Sequence, residues 1–278
     1  MTAPRPAPPA VLSFAASDPT GGAGLQADIL TLASLGCHPL SVVTALTVQD
    51  TAGVEAVLPV DAAWVSDQAR ALLEDMPVAG FKIGLLGSVE VIAAVAEVIS
   101  DYPELPVILD PVLASGRGDQ LADEEVVEAM IGLLLPQTTV LTPNSLEARR
   151  LAQEIDAQAV ALPACARTLV EAGCEYVLVT GTHEGTPQVV NTLYGSHGAV
   201  RSDRWERLAG SYHGSGCTLA SALAAHVANG VPLADAVHGA QEYTWRTLAG
   251  GYRPGMGQFI PDRMFWLRAA GDGEEPAQ

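Results

Sequence analysis

Along most of this chain, short apolar runs closed by glycine or proline alternate with longer segments of helical spacing. That alternation limits the fold more than any other feature. "AVLSFAAS" (Ala10–Ser17) is apolar and strand-like and stops at Asp-Pro-Thr-Gly-Gly. "GLQADILTLASLG" (24–36) then sets Leu25, Ile29, Leu32 and Leu35 at helical spacing before a glycine cap. Residues 40–51 are β-branched and strand-like. The pattern repeats with helix over 62–74, strand and turn over 79–87, helix over 89–100, strand over 106–112 and helix over 123–135. Strand over 138–144, helix from Ser145, helix over 163–173 and strand over 175–183 continue it. Such alternation predicts an α/β fold with a mainly parallel central sheet between helices. Residues 187–208 break the rhythm and predict two antiparallel strands joined near Gly195-Ser-His-Gly198. Helices over 217–229 and 233–250 follow. There is no linker and no 20–50-residue repeat, so a single domain over 11–268 is expected.

The ends differ in composition. "MTAPRPAPPA" lacks an apolar h-region and reads as a disordered tail over 1–10; residues 269–278 read as a second. The 278 residues, 49% hydrophobic and 17% charged, suffice for one large core. No apolar run reaches the roughly 18 residues of a membrane span, and with no export signal the expected place is the cytoplasm. The four cysteines show no metal spacing and are expected as free thiols. A net charge of −18 repels polyanions, so nucleic acid is not an expected partner. It leaves a nucleotide site open, because backbone N–H groups bind phosphate unaided.

In open parallel sheets, ligands bind beyond the carboxyl ends of the strands. Polar, glycine-rich segments fall at several such ends: "SDPTGGAG", "TVQD", "GLLGS", "DPVLASGRGD", "TPNSLE" and "TGTH". Gly22-x-Gly24-x-x-Ala27 fits a dinucleotide fingerprint, yet Asp-Pro-Thr-Gly intervenes after the strand. Asp50 also lies 28 residues beyond Gly22, against about 20 in that fingerprint. Asp28, in the first turn of its helix, is either a favourable helix-end charge or a substrate contact. Asn144-x-x-Glu147 is a capping box that also aims a carboxylate at the sheet edge, where a hard oxygen suits Mg²⁺. Asp110 ends the strand "VILD" at the same edge as a second carboxylate. In "HGSGCTLASALAAHVANG", Gly214 and Gly216 open a long helix whose free N–H groups could hold a phosphoryl group. The same glycines could serve only close packing. Walker GxxxxGK[ST] and GxSxG motifs are absent.

Taken in order and spacing, "SDPTGGAGLQAD", "TALTVQDT", "KIGLLGS", "VILDPV", "LTPNSLEA" and "HGSGCTLASA" resemble the hydroxymethylpyrimidine/phosphomethylpyrimidine kinases of thiamin biosynthesis. The resemblance covers about 11–250 and implies a ribokinase-like αβα sandwich. It implies transfer of phosphate from ATP, with Mg²⁺, to 4-amino-5-hydroxymethyl-2-methylpyrimidine, and then to its monophosphate. It implies pyrimidine contacts at Ala16, Asp28, Gln49, Leu85 and Val112. Asp110 and Glu147 match positions near the metal, and Asn144, Glu147 and Thr180 positions near ATP phosphates. Gly214, Ser215, Gly216 and Cys217 match the anion hole, and a homodimer is implied as well. Cys217 stands where other ribokinase-like enzymes carry an aspartate base. A thiol pKa lowered by the helix N-terminus would make it a base near neutral pH.

The chain departs from the family pattern where Thr180-Gly-Thr-His183 replaces Lys-Gly-Gly-His, removing a lysine that could reach ATP phosphates. That departure bears on the second phosphorylation. Other readings are a pyridoxal or pyridoxine kinase, a non-catalytic pyrimidine-binding protein, and a dehydrogenase. The glycine-rich loop "ASGRGDQL" is expected to move on ATP binding, with Arg117 standing in part for the missing lysine. Arg117→Ala is therefore expected to raise the KM for ATP in steady-state assays; unchanged ATP kinetics would remove Arg117 from the site.

Overall fold

The computed structural model describes residues 6–114, 118 and 120–269. Arg117 and most of its loop fall outside them. One nine-stranded sheet organises the rest. In chain order its elements are β1 (Ala10–Ser17), α1 (Gly24–Ser34), β2 (His38–Gln49), β3 (Val54–Pro59), α2 (Ala62–Asp75), β4 (Val78–Ile83) and α3 (Val89–Ser100). Then come β5 (Val107–Leu109), α4 (Glu124–Ala129), β6 (Val140–Leu141), α5 (Ser145–Ile155), α6 (Leu162–Glu171) and β7 (Tyr176–Val179). The chain closes with β8 (Gln188–Gly195), β9 (Gly198–Glu206), α7 (Ser215–Ala228), α8 (Leu233–Ala249) and α9 (Phe265–Ala269). The strand order is β3-β2-β1-β4-β5-β6-β7-β8-β9. The six strands from β2 to β7 run parallel, and β3, β8 and β9 add antiparallel edges.

The apolar strands are covered on both faces, as parallel strands require. Leu12 and Phe14 of β1, Leu109 of β5 and Val177 of β7 join the core beneath α2–α6. Their neighbours Val11, Ile108 and Leu178 point the other way, into a second core with α7 and α8. This period-2 division between two helical layers is the αβα sandwich.

Two local features differ from the sequence expectation. The edge strand β3 was not expected, because its outward residues are exposed and its length is short. Strands β5, β6 and β7 are shorter than their apolar runs, because the chain leaves the ladder early and the remaining residues become loops over the sheet edge. At the N-terminus, Pro9 accepts a hydrogen bond from the His38 N–H and Ala10 already belongs to β1. The β8–β9 turn falls at Ser196-His197, with Gly195 paired to Gly198.

Strand β1 has β2 on one side and β4 on the other, so the chain reverses its direction of travel across the sheet there. Crevices of this kind, at the carboxyl ends of the strands, hold the ligands of open α/β sheets. No helix among the described residues is long and apolar enough to cross a membrane.

Candidate active site

A cavity of about 680 Å³ opens over the carboxyl ends of the parallel strands. Ala16 and Gln49 line it from the ends of β1 and β2; Leu85, Asp110 and Val112 from the loops after β4 and β5; Asn144, Glu147 and Thr180 from those after β6 and β7. Gly214, Ser215, Gly216 and Cys217 close it at the start of α7. The fold thus gathers twelve of the fourteen residues singled out in the sequence. Of the other two, Arg117 is outside the described residues.

The last, Asp28, does not line the cavity. It is wholly buried behind the wall, where its carboxylate accepts from Ser221 Oγ at 2.7 Å and pairs with Lys82 Nζ at 2.9 Å. This differs from the expected pyrimidine contact: both oxygens are already engaged by α7 and β4. Lys82 is itself wholly buried. Burial works against its ammonium, but the carboxylate of Asp28, helped by Cys217 and Asp110, holds its pKa above the ordinary lysine value. A side chain on Gly84 would meet Nζ at 2.8 Å, so this glycine makes room for the cation. A lone lysine in the doubly covered strand "GFKIG" was the signal sequence reading passed over.

The turn before α7 is built for close approach. Gly214 has φ +80°, and a Cβ there would collide with the carbonyl of Gly22. Helix α7 has no side-chain N-cap, so its first N–H groups are left for a ligand. These donors, with the positive end of the helix, suit an anion.

The setting of Cys217 works against its ionisation. Burial pushes the Cys217 thiol up to about 12; Asp110 and Asp28 add to this, and Lys82 and the Gly24 N–H oppose it without prevailing. Burial and the two carboxylates thus favour the protonated thiol in the ligand-free fold, where Cys217 is hydrogen-bonded with Asp110. The groups that titrate near neutrality are the carboxyls. Burial pushes Asp110 up to about 6, with Asp28 adding and Lys82 opposing. Burial and the charge of Asp110 push Glu147 up to about 7. The capping box is formed: Asn144 accepts from the Leu146 and Glu147 N–H groups, and Glu147 accepts from Asn144 N at 3.0 Å. Its other oxygen accepts from Leu113 N at 3.2 Å. Among the described residues, no three His, Cys, Asp or Glu side chains are placed to hold a metal by themselves.

At the β1 and β2 end, a second buried acid sets the orientation of an amide. Burial alone would raise Asp18, but His213 and the N–H groups of Thr20 and Ala23 bring it down to about 2. It is thus an ionised acceptor, and His213 Nε2, 2.8 Å from Oδ2, must carry a proton. The Gln49 amide nitrogen lies 2.9 Å from the same nitrogen. Two donors cannot face each other, so we assign the amide in the flipped sense, with its oxygen toward His213 and its NH₂ group toward the cavity. From sequence, Asp18 and His213 fall in segments at the proposed sheet edge, with no sign that they pair. They meet across 195 positions, a pairing the turn "SDPTGG" gives no hint of.

The carboxyl shifts have a sign in stability. Asp110 and Glu147 keep their protons to higher pH in the fold than in the unfolded chain. The ligand-free fold therefore loses stability as pH rises from about 4 to about 7. Asp18 acts oppositely: its contribution is present above about pH 4 and is lost as pH falls toward 2. Asp110→Asn is expected to raise the Tm of the ligand-free protein at about pH 8 by roughly 3 °C or more, with the gain gone near pH 4. Calorimetry that found the same gain at both pH values would contradict the assignment.

Comparison with known proteins agrees with this geometry. The family model described as phosphomethylpyrimidine kinase matches residues 18–262. A hydroxymethylpyrimidine/phosphomethylpyrimidine kinase of Rhizobium meliloti is 37% identical over 89% of this chain and 93% of its own. One of Mycobacterium tuberculosis is 37% identical over 96% and 98%. Among solved structures, an ADP complex of Bacillus subtilis pyridoxal kinase superposes with a TM-score of 0.84 at 26% identity, covering 95% of this chain and all of that one. Phosphomethylpyrimidine kinase from Clostridium difficile gives 0.73 at 30% identity, covering 85% and 97%. The fold is thus the ribokinase-like one, and the dehydrogenase and non-catalytic readings give way. In this setting Gly22-x-Gly24-x-x-Ala27 runs from the loop after β1 into the first turn of α1, with the Gly22 carbonyl held by Arg263. With its sheet order, its cavity and its full-length relatives in agreement, the chain belongs to the phosphomethylpyrimidine kinase family.

Proposed function

We propose that this protein transfers the γ-phosphoryl group of ATP to the hydroxyl of 4-amino-5-hydroxymethyl-2-methylpyrimidine, and then to the resulting monophosphate, in the cytoplasm. The observation that carries this is one cavity holding an oriented amide, Gln49, at one end and the bare N-terminus of α7 beside it. The Gln49 NH₂ donates to a ring nitrogen of the pyrimidine, and Ala16, Leu85 and Val112 bound the ring. The substrate hydroxyl then lies toward Cys217, and the N–H groups of residues 215–217 face the transferred phosphoryl group.

The far end of the cavity suits a nucleotide base. Trp205, Trp245 and Leu248 line it with the amides of Asn191 and Gln241. Those amides are fixed to each other at 2.9 Å, and Trp205 Nε1 donates to the same Gln241 oxygen. Asn144 and Thr180, which lie in bridge register, stand between this end and α7. Asp110 and Glu147 fit a magnesium ion that keeps most of its waters. They are adjacent carboxyls whose pKa values are both raised, so a cation relieves their repulsion. The metal would supply charge neutralisation on the phosphate oxygens. A dissociative transfer needs little base, so Cys217 serves by hydrogen-bonding and positioning the hydroxyl.

A second reading, pyridoxal phosphorylation, is favoured by the superposition on pyridoxal kinases, whose substrate is a similar-sized aromatic alcohol. The aminopyrimidine reading is preferred for the higher identity to its relatives.

An apolar strip supports a paired subunit arrangement. Leu46 and Val48 of β2 and Leu58 of β3 are 50%, 58% and 66% exposed, and Leu46 pairs with Leu58 across the hairpin. We infer that a second copy covers them, and light scattering is expected to report twice the chain mass; a monomer at micromolar concentration would refute this. Coupled ADP-release assays are expected to show turnover with the aminopyrimidine alcohol and its monophosphate above that with pyridoxal. The reverse order would establish the second reading. Cys217→Ala is expected to lower kcat about 10²-fold, and Cys217→Ser to recover most of it. A serine variant as slow as alanine would restore the thiolate base.

A further inference from the structure

One buried cation has no part in the chemistry described so far. Arg263, in the segment before α9, is only 3% exposed. Its Nη2 donates to the Gly22 carbonyl at 2.5 Å and to that of Gly214 at 3.5 Å. Nη1 donates to the Gly21 carbonyl at 3.3 Å, and Nε to Thr218 Oγ1 at 3.0 Å. The guanidinium therefore spans the glycine loop after β1 and the glycine turn before α7.

None of these partners is charged. Among the described residues no carboxylate lies within ion-pair distance of Arg263. The adjacent Asp262 is taken by Arg268 at 2.7 Å, and Asp28 by Lys82. Burial accordingly depresses the Arg263 pKa, with Cys217 and Asp28 opposing only through space. A cation held out of water by neutral carbonyls is costly unless an anion comes near.

The carbonyls also orient their own peptides. In a trans peptide the C=O and the following N–H point in opposite directions. The Gly22 carbonyl meets Arg263, and the Ala23 N–H on the same peptide donates to Asp18 at 2.7 Å. The Gly214 carbonyl likewise faces Thr218 and Arg263, so the Ser215 N–H turns away from them, on the cavity side.

We propose that Arg263 is a positioning residue for phosphoryl transfer: it locks the two glycine loops so that the α7 N–H groups face the phosphoryl group, and it provides the fixed positive charge behind them. It touches neither substrate. Its field acts through desolvated protein, where such interactions are stronger than in water. The proposal rests on the kinase reading above, deepening its anion hole.

The test compares Arg263→Gln, which removes the charge, with Arg263→Lys, which keeps it. The first readout is the affinity for inorganic phosphate, taken from the Tm rise it gives the protein without nucleotide. The second is steady-state kinetics. Arg263→Gln is expected to weaken phosphate and lower kcat by about tenfold or more, with the pyrimidine KM within about twofold. Arg263→Lys is expected to bind phosphate within about threefold of the parent and to recover most of kcat. Phosphate binding unchanged in Arg263→Gln would overturn the proposal, as would equal impairment of both variants. Should the glutamine variant not fold, a folded Arg263→Lys that has lost phosphate binding overturns it. A parent protein without pyrimidine turnover, whose phosphate binding still falls in Arg263→Gln, sinks the kinase reading and supports the role of Arg263.

Discussion

The ion pair between Lys82 and Asp28 is the interaction on which the rest of the site depends. It joins β4 to α1, and through Ser221 to α7, in a region water does not reach. Removing one partner of such a pair leaves a bare buried charge, at a cost of about 3–5 kcal/mol. Strand, first helix and anion-binding helix are thereby held in one register. The same cation lies behind Cys217 and Asp110 and tempers the negative charge gathered there. Without it, the carboxylates of Asp28 and Asp110 would repel each other in a desolvated space with no cation beside them.

The surface and the site carry opposite electrostatic strategies. The chain has a net charge of −18, yet its substrates are anions or become anions. Lys82 and Arg263 are the only lysine and arginine side chains buried among the described residues; Lys82 lines this cavity and Arg263 holds the glycine loops behind it. Backbone N–H groups at α7 make the contact, and the buried cations set the potential behind them. Such donors are preorganised and need no reorientation as charge develops on the phosphoryl oxygens. An acidic exterior then costs the site little, because exposed charges are screened over about 10 Å of salt solution.

Cys217 shows why position in sequence is a poor guide to ionisation. A helix N-terminus lowers a thiol pKa when little else acts. Here burial and two neighbouring carboxylates act in the other direction and prevail. The balance favours the protonated thiol, which can donate or accept hydrogen bonds as an uncharged group. Asp28 carries the same lesson in reverse: its place in the first turn invited a substrate role, and the tertiary fold consumed both of its oxygens.

What the sequence determined by itself is the alternation of elements, the mainly parallel sheet and the edge at which polar loops collect. These follow from local periodicity and from glycine and proline, which act over a few residues. Helix α3 and the capping box at Asn144 were legible to the residue for that reason. Family likeness added which loop residues share one cavity. Only the tertiary structure decided the pairs that span the chain: Asp18 with His213, Lys82 with Asp28, and Arg263 with the carbonyls of Gly22 and Gly214. It also decided that the pKa values of Cys217, Asp110 and Glu147 are all raised. Both depend on burial and on charges brought close from distant positions, which no local pattern encodes.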